Sequence, residues 1–103
     1  MSHIDLMPKD STEIKKYIFD FISRLAIGET ISTQVVTASV YSGTDTTPSA
    51  IVSGVATASG TRVTQTIVGG VLGNIYQLIC TITTSTGQTL TLSAFLAIDS
   101  NLP

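Results

Sequence analysis

The chain has 103 residues, 43% of them apolar and 12% charged, with a formal net charge of −2. That is the length of one domain with enough apolar content for a core, and its charge argues against nucleic acid or an anionic membrane as partner, since both demand a basic patch. One cysteine cannot close an internal disulfide, the opening MSHIDLMPKD lacks the apolar region of an export signal, and no stretch approaches the roughly 20 apolar residues of a membrane span.

Residues 1–13 are polar and carry no periodic pattern, so they read as an N-terminal arm. The apolar pattern opens at Ile14, and a truncation up to residue 11 is expected to leave the domain folded. The stretch that follows, YIFDFISRLAIGETI over residues 17–31, fits two periods. Ile14, Tyr17, Ile18, Phe21, Ile22 and Leu25 have helical spacing, with Asp10 and Glu13 available as a capping box. As a strand, Tyr17, Phe19 and Phe21 share one side and Lys16, Ile18 and Asp20 the other, and the aromatic and β-branched content favours this reading. Periodicity alone leaves both open.

From Thr30 onward the pattern is that of strands. TISTQVVTASVY (30–41) is rich in β-branched residues and runs into the turn cluster SGTDTTPS. AIVSGVATASG (50–60) reads as one or two short strands broken by Gly54, TRVTQTIV (61–68) alternates, and GGVLGN punctuates. IYQLICTITT (75–84) places Tyr76, Leu78, Cys80 and Ile82 on one face. TLTLSAFLAI (89–98) turns Leu90, Leu92, Ala94, Leu96 and Ile98 inward, and STGQ joins these last two strands as a hairpin, with Gly87 free to take positive φ. About seven short strands with frequent turns indicate an all-β, Ig-like antiparallel β-sandwich over residues 14–99, followed by a tail at 100–103.

Charge placement adds a second signal. Nine of the twelve charged residues precede position 30, and between Thr30 and Ile98 only Asp45 and Arg62 are charged. Seventeen Thr and twelve Ser supply the polarity instead. Threonine suits exposed strands, but a surface this poor in charge also fits one covered in an assembly. Outward-facing Ile75, Ile79 and Phe95 are the candidates for covered surface.

No residue pattern points to chemistry. Cys80 shares a face with Leu78 and Ile82 and reads as a small buried hydrophobe. His3, the only histidine, sits on the expected N-terminal arm, so no nucleophile–base pair is expected. His3, Cys80, Asp45 and Asp99 lack the spacing of metal ligands, and GGVLGN lacks the Lys-Ser/Thr ending of a phosphate loop. No cofactor, no metal and no enzymatic activity are expected. Lys15 and Lys16 read as a solvated strand edge. Tyr76, opening a strand after Gly73 and Asn74, is placed like the tyrosine corner of Ig-like folds, where the hydroxyl ties down the preceding loop.

MPKD followed by YIFDFISRLAIGETI, then GGVLGNIY (69–76) and TSTGQT (84–89), resembles the phage fibre–tail adaptor proteins, small virion proteins of tailed phages. The resemblance rests on an aspartate–aromatic pair (Asp20–Phe21), a leucine shortly after (Leu25), an acidic-Thr-Ile start to the next strand, a Gly-rich turn before the tyrosine (Tyr76), and a Gly hairpin. Phe21 stands where the family usually carries Trp, and residues 42–60 lie outside the resemblance. It implies that residues 14–21 are a strand, with Tyr17, Phe19 or Phe21 plugging the sandwich end and Asp20 accepting backbone N–H groups where the chain leaves the sheet. A short helical turn near residues 22–27 would follow. It also implies a structural virion protein that docks on the neck or tail and attaches fibres or neighbouring subunits. Its partners would be a portal-side adaptor, the tail fibre and further copies in a homo-oligomeric ring, with no nucleic acid and no membrane. The alternatives are a free-standing Ig-like module that recognises carbohydrate or a cell surface, and a capsid decoration protein. The first wants exposed Trp or Tyr in its loops, and SGTDTTPS and VATASG offer none.

Overall fold

The computed structural model describes residues 3–99. Alternation of apolar and hydroxyl side chains gives seven strands: β1 (His3–Asp5), β2 (Ile14–Asp20), β3 (Ile31–Ser42), β4 (Val52–Ser59), β5 (Arg62–Val68), β6 (Ile75–Thr84) and β7 (Thr89–Ala97). They form two sheets, ordered β1-β7-β6-β3 and β2-β5-β4. With β2 to β7 taken as strands B to G, the sheets read B-E-D and G-F-C, an order shared with Ig-like sandwiches. All pairs are antiparallel except β1 with β7. The expected tail at 100–103 lies outside the described residues.

The inner faces supply the core. From β6 come Tyr76, Leu78, Cys80 and Ile82, from β7 Leu92, Ala94 and Leu96, from β5 Val63 and Ile67, and from β2 Tyr17 and Phe19, with Phe21 just beyond the strand. The expected hairpin forms, pairing Ile82↔Leu90 and Thr83↔Thr89, with Gly87 at φ +87° in the turn. Replacing Leu92 by Ala is therefore expected to cost about 2–5 kcal/mol, and replacing Thr91, on the opposite face, far less. Equal losses in denaturant titrations would mean that β7 is misplaced by one residue.

Residues 17–21 resolve as strand and its exit. β2 pairs with β5 without interruption from Ile14↔Val68 to Asp20↔Arg62. It is an edge strand, where Lys15 and Lys16 discourage further pairing. The helical turn expected near residues 22–27 is a single α-turn: Arg24 N and Leu25 N both donate to Phe21 O, at 2.8 and 3.1 Å, and no helix forms. The only helical element among the described residues is a 3-10 turn, Pro48–Ile51, which spans the end of the segment read as a turn cluster and the first two residues read as strand, so that β4 begins at Val52.

β4 is one strand with an irregularity where the break at Gly54 was expected. Its register against β5 shifts between Ser53 and Thr57, and Gly54 takes φ +74°, a conformation that strains any residue with a Cβ. Buried Gln65 donates through Nε2 to Ser53 O (2.9 Å) and Gly54 O (3.3 Å), and Gln34 Nε2 donates to Ala56 O (3.0 Å). Two glutamine amides thus satisfy carbonyls around the irregularity.

Residues 3–13 are not the loose arm expected. β1 pairs with β7 from His3↔Ser93 to Asp5↔Phe95. Leu6 N then donates to Phe95 O, Lys9 N to Ala97 O, and Asp99 N to Lys9 O, all within 3.0 Å. Lys9 is completely buried, its ammonium donating to Asp10 O (2.9 Å) and Gly69 O (2.6 Å). Backbone pairing needs no apolar side chain, so a polar segment can belong to the sheet without showing it in its pattern. Asp10 and Glu13 make only half of the expected capping box: Asp10 N donates to Glu13 Oε1 (2.8 Å), but Glu13 N donates to the backbone Asp10 O (3.0 Å) while Asp10 Oδ1 accepts from Thr12 N (2.8 Å), and the pair closes a turn ahead of a strand.

Candidate functional site

The β2–β5 register places the loop after β2 (residues 21–30) and the loop after β5 (69–74) at opposite ends of the sandwich. At the first end, Asp20 Oδ1 accepts from Ile22 N (2.9 Å) and from the Thr61 hydroxyl (2.8 Å), while Arg62 Nε approaches Oδ2 at 3.3 Å. Phe21 N donates to Thr61 O, so the buried Phe21 ring is held where the chain leaves the sheet, with Leu25 packed partly buried beside the core. Glu29 closes the same loop. It accepts from Ala26 N (2.9 Å), from the Thr84 hydroxyl (2.6 Å) and from the Thr86 hydroxyl, tying the β2–β3 loop to the β6–β7 hairpin.

At the other end Tyr76 acts as the corner. Its ring is fully buried, its oxygen accepts from Val71 N (2.9 Å) five residues upstream, and its hydroxyl donates to Asp45 Oδ2 (2.7 Å) in the β3–β4 loop. Asn74 Nδ2 donates to Thr44 O (3.0 Å), joining the same two loops. Tyr17 donates its hydroxyl to Met7 O (2.9 Å), and burial pushes its pKa up to about 12. Lys9 is pulled down from the ordinary lysine value by burial, with Glu13 and Asp10 opposing.

Three carboxylates are held below their ordinary range by donors aimed at the charged form: Asp20 chiefly by the Thr61 hydroxyl, Glu29 by the Thr84 and Thr86 hydroxyls, Asp45 by the Tyr76 hydroxyl. Their folded pKa values lie below the unfolded ones, so the stabilisation is present above the unfolded value, about 4, and is lost as pH falls through the folded values. The melting temperature is expected to be flat from neutrality to about pH 5 and to drop below about pH 4. Glu29→Gln should flatten part of that drop; a variant with the wild-type acid profile would remove Glu29 from it.

The remaining candidates share one surface. Ile75, Ile79 and Phe95 are half-buried on the outer face of the four-stranded sheet, with Gln77↔Phe95 and Ile79↔Ser93 in register. Phe95 stacks against Tyr41, the ring centroids 4.5 Å apart and tilted by 49°, so the two aromatics lean toward each other over β6. Exposed Val35 lies on the same outward row of β3. No charged residue occurs within β3, β6 or β7. Sequence reasoning missed Tyr41 and Val35, although their even spacing within β3 marks a common face. It also missed Glu29 as a brace, for which the hydroxyls of TSTGQT are visible only once the hairpin lies beside it.

The eight singled-out residues therefore separate into three groups. Asp20, Phe21 and Leu25 organise one end, Tyr17 and Tyr76 brace the other from within the core, and Ile75, Ile79 and Phe95 form an outer face. Among the described residues no three His, Cys, Asp or Glu side chains converge as a metal site. Cys80 is buried, and burial pushes its thiol up to about 12. No helix among the described residues is long and apolar enough to cross a membrane.

Fold and surface together define a small β-sandwich domain whose polar side chains brace loops and whose three uncharged strands β3, β6 and β7 carry an outer cluster of apolar side chains. A comparison with curated proteins found no match. The chain belongs to the family described as podophage GP4 fiber-tail adaptor protein gp77, whose model matches residues 9–97 and so runs through residues 42–60 as well. Membership makes it a structural component of the phage tail, a virion protein that works in contact with other tail proteins.

Proposed function

We propose that the domain docks in the neck or tail region of the particle, in symmetric copies forming a ring, and holds tail fibres or neighbouring subunits there. The role is purely structural and assigns catalysis to no residue. The observation that carries it is the outer face of the four-stranded sheet, where Tyr41, Phe95, Ile75, Ile79 and Val35 stand among hydroxyl side chains on strands without a charge. Exposed apolar patches of this kind mark contacts, and a neutral face suits a packed interface, whose centre is depleted in charge.

Mass spectrometry of purified particles should find the chain at several copies per virion, and cryo-microscopy should place it at the neck or tail. Ile79→Asp combined with Phe95→Asp leaves the inward residues of β6 and β7 untouched. It is expected to keep the β-type circular dichroism spectrum while the protein disappears from particles. Normal occupancy of that variant would remove this face from the role, and wild-type particles lacking the chain would refute the role itself.

A further inference from the structure

The two sheets present four strand edges, β1 and β3 on one and β2 and β4 on the other. Three are guarded in ways that discourage a foreign strand. β1 has three residues, β2 carries Lys15 and Lys16, and β4 is distorted at Gly54, which takes φ +74°. β3 has twelve residues, no charge and no proline, and its ladder with β6 runs without a shift from Thr33↔Thr83 to Val40↔Tyr76. Ladder parity fixes which backbone groups lie on its outer edge. Leu6 N and Lys9 N donate to Phe95 O and Ala97 O, so odd-numbered residues of β7 face β1. Even-numbered residues of β7 then face β6, odd-numbered residues of β6 face β3, and odd-numbered residues of β3 face β6. Gln34, Val36, Ala38 and Val40 are left with N–H and C=O directed away from the sheet, and among the described residues no strand pairs with them.

A row of unpaired backbone groups is a template for a further strand. The charge around it favours a second copy as the source. β4 lies beside β3, with Gln34 Nε2 donating to Ala56 O at 3.0 Å, and it too is uncharged, with Val55 86% exposed. The charged strand β2 stands at the far edge of the other sheet. Two chains of net charge −2 can therefore meet along this flank without setting like charges opposite each other, and a row of Val, Thr, Ser and Ala is complementary to itself. We infer that β3 pairs with β3 of a second copy, antiparallel across a two-fold axis at Thr37. That register sets Gln34 against Val40 and Val36 against Ala38 of the second copy, so every edge residue of the unshifted segment is paired. Val35 then stands beside Ser39 of the second copy, and the two four-stranded sheets join as one. The inference goes beyond the adaptor reading and does not rest on it, because pairing is a property of the isolated chain.

The full chain is purified and its mass measured by sedimentation and light scattering over a range of concentrations. Wild type should associate to twice the chain mass. Ala38→Pro removes a donor that faces only the second copy, a change an edge strand tolerates. It should be monomeric with the β-type circular dichroism spectrum intact. Thr37→Lys sets two lysines opposite each other across the axis and should be monomeric as well, and it carries the test if the proline variant does not fold. Thr37→Cys reads the register. Facing its own copy at the close spacing of a non-hydrogen-bonded pair, it should form an interchain disulfide on mild oxidation, whereas Val35→Cys should crosslink about tenfold less. Cys80 is buried and does not compete. A wild type that stays monomeric at every concentration would overturn the inference, as would a dimer that survives both Ala38→Pro and Thr37→Lys. Stronger crosslinking at Val35→Cys than at Thr37→Cys would overturn the axis at Thr37.

Discussion

Deleting residues 1–11 is expected to destabilise the domain by several hydrogen bonds' worth, at about 0.5–1.5 kcal/mol for each bond lost. The deletion removes β1 from the edge of β7. It also takes away the Lys9 ammonium that satisfies Gly69 O, the Lys9 backbone that exchanges bonds with Ala97 and Asp99, and the Met7 carbonyl that accepts the Tyr17 hydroxyl. The apolar pattern alone, opening at Ile14, predicts the opposite. Lys9→Met separates the contributions: it keeps the strand and the side-chain bulk but withdraws the donor from Asp10 O and Gly69 O. Thermal melts of both variants decide the matter, and a truncated protein that melts with the wild type would return residues 1–11 to the status of an arm.

Phe19→Ala is expected to cost about 3–5 kcal/mol, the range for emptying a buried aromatic site, while Ile18→Ala should change stability by less than about 1 kcal/mol. The pair discriminates the two periods that fit this segment. On a helix, Ile14, Ile18 and Ile22 would lie on the buried side with Tyr17 and Phe21. On the strand they are all more than half exposed, whereas Tyr17, Phe19 and Phe21 are buried. Denaturant titration of the two variants is sufficient, and a larger loss at Ile18 than at Phe19 would contradict the strand.

Why the segment reads both ways is itself physical. Tyr17 and Phe21 are four apart, so they share a helix face, and they are an even number apart, so they also share a strand face. Only Phe19 separates the readings, and a strand there needs β5 beside it, which no local pattern can supply.

What the sequence determined by itself is the part of the fold in which each residue reports its own environment. In β5, β6 and β7 the side chains alternate between a dry interior and a wet face, so composition at period two records strand, register and core at once. Gly87 marked the hairpin, and the tyrosine after Gly73 and Asn74 marked the corner, because both needs are local. What only the tertiary structure decided is where polar groups go when their partners are distant. Lys9 lies 60 residues from Gly69, Asp20 41 residues from Thr61, and Glu29 55 residues from Thr84. A lysine, an aspartate and a glutamate look in sequence like solvated charge. Here they are fixed by hydroxyls and carbonyls brought beside them by the closing of two sheets, and the same closing draws a polar N-terminal segment into the domain.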